Sequence, residues 1–138
     1  MDKLIKIFRS GFFTALIILN PIAVAVLVWR FHVDVPFWDQ WDFVPDLDRL
    51  FSGQLDLSFL FRQHNEHRMF FPRLIMLALA RVTHWSIGWE LVVSYLLTWG
   101  IFLFLVKQLF HFYPEVRRIF LVFPIILFSW LTFSMNQV

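Results

Sequence analysis

Long apolar runs separated by charged segments set the pattern of this chain. Between Arg9 and Arg30 lie twenty residues without a charge, and Ile119 to Val138 forms another uncharged run of twenty. Ile87 to Val106 is a third run, with Glu90 near one end as its sole charge. About 20 apolar helical residues cross about 30 Å of hydrocarbon. The pattern therefore predicts an all-α membrane protein with three transmembrane helices, at about 11–30, 87–106 and 119–138. Leu74 to Ala80 is also apolar, but seven residues cannot span; lying between Arg73 and Arg81, they predict an interfacial helix. Asn20-Pro21 falls inside the first run. Proline lacks a backbone N–H and bends a helix, leaving a carbonyl for neighbouring helices to satisfy.

The segment between the first two runs carries turn signals. Pro36 and Pro45 bracket FWDQWDFV, and Ser52-Gly53 punctuates the stretch beyond Pro45. Asp56-Leu57-Ser58 can open a short helix ending at Phe61, and Pro72 suits the first turn of another. Two or three short juxtamembrane helices and no sheet are expected here.

Composition narrows the class. Of 138 residues 59% are hydrophobic and only 16% charged, against about a quarter charged in a soluble domain. Nineteen Phe and seven Trp exclude a disordered chain, and a net charge of +2 with scattered bases speaks against nucleic-acid binding. No cysteine is present, so disulfides, thiolate metal sites and a cysteine nucleophile are ruled out. No bound metal and no cofactor are expected.

Charge also sets an orientation. Lys3, Lys6 and Arg9 precede the first run, and Lys107, Arg117 and Arg118 lie between the second and third. From Phe31 to Met69 seven acids face three bases, whereas the rest of the chain has nine bases and three acids. Lys and Arg stay on the cytoplasmic side. This predicts residues 1–10 inside, 31–86 outside, the link 107–118 inside, and a multi-pass protein of a bacterial inner membrane. A competing reading takes residues 1–25 as a cleaved signal peptide ending at Ala23-Val24-Ala25, although the apolar run continues through Trp29.

Two polar constellations can carry chemistry. Asp39 and Asp42 in PFWDQWDFVP share a face on a helical turn, as do Trp38 and Trp41. The carboxylates suit a general base or a cation ligand at the membrane surface. They equally suit a solvated face beside tryptophan anchors. The second constellation is Gln63-His64-Asn65-Glu66-His67-Arg68. His64 and His67 at i,i+3 differ from the HExxH zinc signature, while histidine with Arg68 suits a phosphate group. Ordinary polar packing in the loop accounts for it as well. Glu90 reads as an interfacial charge, and His111 as a loop residue.

The order of features resembles the N-terminal region of bacterial GT-C-type membrane glycosyltransferases, such as protein O-mannosyltransferases and aminoarabinose transferases. The resemblance rests on a basic start, one span, and an outside loop opening with aromatic-Asp-x-x-Asp-aromatic. Gly53, Leu55, the polar signature and Pro72-Arg73-Leu74 come next, before a short apolar helix and the second span. It implies a polyprenyl-phosphate sugar donor, Asp39 as catalytic carboxylate and Asp42 as second acid. By position, it implies donor-phosphate contacts from His64, His67 and Arg68. Those enzymes have many more spans, so the chain is expected to be a fragment or truncated relative, with other membrane polypeptides as partners. The alternative is a small non-catalytic subunit of a photosynthetic or respiratory complex, touching pigment or haem through His32 or His111.

Overall fold

A computed structural model describes residues 2–64, 67–116 and 118–134. The side chains of residues 2–10, Asp39, Leu57, His64, His67, Arg68, Arg118 and Ile119 fall outside that description. The chain is all-α apart from a two-residue antiparallel pair. Helix α1 is Asp2–Phe31, α2 Val44–Phe51, α3 Phe70–Thr83, α4 Ile87–Phe112 and α5 Arg118–Thr132. Two 3-10 helices, Trp38–Phe43 and Leu57–Phe61, flank α2, and strands β1 (Gln63–His64) and β2 (His67–Arg68) precede α3. That small ladder corrects the expectation of no sheet.

Two helices are long and apolar enough to cross a membrane: Gly11–Phe31 within α1, and α4. Only 6% and 11% of their most apolar windows are buried within the fold, unlike the core helix of a soluble protein. The third expected span is a shorter apolar helix, Phe120–Thr132. Helix α5 ends there, where the Thr132 hydroxyl donates to the Phe128 carbonyl and the Ser134 hydroxyl to that of Leu131. Residues 135–138 of the expected span lie outside the described residues.

The chain divides into two compact units, Met1–His32 with Ser94–Val138, and Val33–Val93. In the first unit, Pro21 sits inside α1 and is fully buried. Its missing N–H would have bonded the Ile17 carbonyl four residues back. The buried Ser129 of α5 donates its hydroxyl to that carbonyl at 2.5 Å. Trp130 Nε1 donates to the Leu16 carbonyl at 3.1 Å, and Asn20 Nδ2 to the Phe133 carbonyl at 3.1 Å. Tyr95 of α4 donates to the Pro21 carbonyl at 3.0 Å. Ser129 of the neighbouring helix thus satisfies the freed Ile17 carbonyl, as the Asn20-Pro21 signal implies. Phe133, 2% exposed, packs its ring against Tyr95, Trp99 and Phe102 beside this joint.

The second unit has its own core. Phe43, Leu47, Phe59, Leu60, Leu77 and Ala80 are buried together, with Leu50, Leu55, Phe70, Met76 and Trp85 packed against them. Phe43, Leu47 and Leu50 recur at helical spacing, as do Phe70, Leu77 and Ala80, so each segment turns one apolar stripe inward. Helix α2 stops where Gly53 takes a φ of +74°, a conformation side chains resist. The Gly53 N–H then bonds the Leu50 carbonyl and the Gln54 N–H bonds that of Arg49, closing the helix end. Asp56 caps the 3-10 helix Leu57–Phe61, and Pro72 occupies the first turn of α3, as their sequence signals indicate.

Candidate functional site

The acidic and aromatic motif folds as the 3-10 helix Trp38–Phe43 rather than as an α-helical turn. With three residues per turn, i and i+3 eclipse, so positions 39 and 42 lie in line, as do Trp38 and Trp41. Asp42 is exposed, and the Asp39 side chain lies outside the described residues. Both tryptophans project outward, 76% and 57% exposed. Trp38 has a φ of +48°, a left-handed backbone that a bulky aromatic residue rarely adopts. Gln40 closes this turn: its Oε1 accepts the Phe37 N–H at 2.8 Å, while its own N–H bonds the Phe37 carbonyl.

Gln40 also reaches forward fifty residues. Its Nε2 donates to Glu90 Oε2 at 3.1 Å, and Asp34 Oδ1 accepts the Ile87 N–H at 2.5 Å. The acidic segment is therefore held against the first turn of α4. An acid there suits the exposed N–H groups of the helix start. Glu90, which the sequence reads as an interfacial charge, is half-buried beside the motif and held by Gln40. Its only signal was its place at the head of an apolar run.

The polar signature is built otherwise than expected. A helix would set His64 and His67 on one face. Instead the β1–β2 register pairs His64 with His67 and Gln63 with Arg68 directly across the ladder. The side chains of His64, His67 and Arg68, and residues Asn65 and Glu66, lie outside the described residues. Among the described residues no three His, Asp or Glu side chains converge as metal ligands. His32 Nδ1 donates to the Val28 carbonyl at 3.0 Å, and the His111 ring lies against Phe112.

The best-defined electrostatic cluster lies in the same unit. Asp46 in α2 is 1% exposed and accepts a hydrogen bond from Arg62 at 2.7 Å, with Arg49 paired at 3.5 Å. Arg73, the arginine of the Pro-Arg-Leu motif, is buried and donates to the carbonyls of Phe59 (3.0 Å) and Arg62. Both Arg62 and Arg73 lie over the Phe59 ring, 5.3 and 5.0 Å from its centre. Arg73 thus fastens α3 to the second 3-10 helix. Beside the cluster opens a depression of about 480 Å³ lined by Arg49, Gln54, Asp56, Ser58, Phe61 and Arg62, among others. Hydrogen bonds from the Ser58 hydroxyl, then from its backbone N–H, hold the Asp56 carboxyl below the usual carboxylate range.

No family model, no curated protein and no solved structure matches this chain.

Proposed function

We propose that this chain is the N-terminal membrane module of a glycosyltransferase that uses a polyprenyl-phosphate sugar donor. In this reading α1 and α4 cross a bacterial inner membrane with the N-terminus inside, and residues 33–86 lie outside. The observation that carries the reading is the docking of the acidic motif onto the start of α4. Gln40 to Glu90 and Asp34 to Ile87 hold a strained, carboxylate-bearing turn that lies between two span-length helices in the sequence. Backbone strain that the surroundings hold in place is a recurrent property of functional sites. Asp39 is the general base, Asp42 the second acid, and His64, His67 and Arg68 contact the donor phosphate. Three apolar helices enclose little, so further membrane polypeptides complete the donor and acceptor pockets.

The test compares Asp39→Asn with Arg68→Ala in a transfer assay on the full natural protein. A base must accept a proton, so Asp39→Asn abolishes turnover and leaves donor binding nearly intact. A guanidinium that grips phosphate contributes binding, so Arg68→Ala weakens donor affinity by about 2–3 kcal/mol. Wild-type transfer by Asp39→Asn eliminates the assignment.

A further inference from the structure

The depression beside Asp46 is outside every role assigned above, and its chemistry is specific. Arg49 and Arg62 both line it with side chains about half exposed, 52% and 50%. Both are also tied to one carboxylate, Asp46, which is 2% exposed as a side chain. A guanidinium has five N–H donors in a planar fork. Arg62 is hydrogen-bonded to Asp46 Oδ2 at 2.7 Å, Arg49 stands in ion-pair range of Oδ1 at 3.5 Å, and about half of each side chain stays open to solvent. Free arginine side chains lose rotamer freedom when they bind; these two are restrained beforehand. Gln54 and Ser58 add neutral polar groups to the wall, and Phe61 an apolar one. The volume, about 480 Å³, is that of a small-ligand site.

One acid shares the lining. Asp56 spends both oxygens inside its own turn, Oδ1 on the Ser58 N–H at 3.1 Å and Oδ2 on the Ser58 hydroxyl. Asp56 is exposed and each oxygen keeps acceptor capacity beyond its bond to Ser58, so its charge opposes an incoming anion.

We propose that this depression is an oxyanion site, gripping a phosphate group with Arg49 and Arg62 while Asp56 limits its affinity. The site is independent of the glycosyltransferase reading. It uses neither the acidic motif nor the β1–β2 ladder. The phosphate group comes either from a lipid headgroup or from a soluble phosphate.

The test uses the full chain in neutral phosphatidylcholine nanodiscs, titrated with inorganic phosphate and followed by phosphorus NMR line broadening. A parallel arm measures retention of phosphatidate over phosphatidylcholine from mixed micelles by native mass spectrometry. Saturable phosphate binding identifies a soluble source, and phosphatidate retention alone identifies a headgroup; either supports the site if it depends on Arg49. Arg49→Gln weakens binding about tenfold, because a charge-assisted bidentate contact is lost. Asp56→Asn retains a capping side chain but removes the opposing charge, so it tightens binding several-fold. A merely structural pocket would not answer to these two variants in opposite senses. Because Arg62 also neutralises Asp46, its contribution is read from the double variant D46N/R62Q, which removes both charges and binds weakly. Binding that is unchanged in Arg49→Gln, or the absence of both phosphate binding and phosphatidate retention in the wild type, overturns the proposal.

Discussion

Asp46 shows how little a single residue's type says about its role. In the sequence it is one of seven loop acids. Its position three after Phe43 and one before Leu47 puts it on the inward stripe of α2, and there it is the most deeply buried charged group among the described residues of its unit. The spacing was legible in the sequence. Its partner Arg62, sixteen residues on, was not, because only the fold of the second 3-10 helix brings the two within 2.7 Å. Asp39 and Asp42, conspicuous in the sequence, lie on the 3-10 helix Trp38–Phe43 instead, with Asp42 exposed. A charge loses hydration when buried and recovers it only through its partners. Arg62→Gln therefore destabilises the unit by about 2 kcal/mol, since a hydrogen bond to a charged group contributes roughly 1.5–3 kcal/mol and Arg62 is half exposed. Substituting Asp46 as well, in D46N/R62Q, recovers part of that loss. Denaturant unfolding of the purified chain measures both. Equal stability of Arg62→Gln and wild type contradicts a structural role for the pair.

At the scale of elements, apolar period and turn chemistry located most helices, and proline located the joint in α1. Asn20-Pro21 shows that a carbonyl must be satisfied from outside α1, but not which residue does it. Ser129 lies 112 residues away from Ile17, inside an apolar run where a lone serine carries no pattern. The polar signature shows the converse failure. Its spacing fits a helix, yet it forms a ladder in which Gln63–His64 pairs with His67–Arg68. The Pro21–Ser129 joint yields a coupled prediction. With Pro21 present, Ser129→Ala strands the Ile17 carbonyl and costs about 1–2 kcal/mol, the upper range for polar contacts between apolar helices. In a Pro21→Ala background the residue-21 N–H returns to that carbonyl, and Ser129→Ala then costs less than about 0.5 kcal/mol. Thermal unfolding of the four proteins in one detergent gives the coupling directly. Additive effects would mean that Ser129 does not serve the proline's vacancy.

For the whole molecule, the distribution of charge and the length of apolar helices act together. α1 and α4 are long enough to cross a membrane, and their apolar surfaces turn away from the fold rather than into it. Exposed to water, those surfaces would be costly at about 25 cal/mol per Å² of apolar area. Insertion of these helices into a membrane would remove that cost. The side on which each end lies then depends on Lys and Arg, which resist translocation, and not on net charge as such. Asp48 in α2 and Glu115 after α4 are both exposed, so cysteines placed there report the two sides without disturbing a core. The chain has no cysteine of its own to confuse the signal. In sealed cells Asp48→Cys reacts with a membrane-impermeant maleimide, whereas Glu115→Cys reacts only after permeabilisation. Labelling of Glu115→Cys in sealed cells reverses the orientation. It would also remove the 33–93 unit from the side assigned to it, and with it the lipid-linked donor assigned to Asp39. Equal labelling of both cysteines in sealed and permeabilised cells would mean that α1 and α4 do not form a barrier-crossing pair at all. The orientation is thus the step on which the assignment of the carboxylates depends, and it can be settled before any activity is assayed.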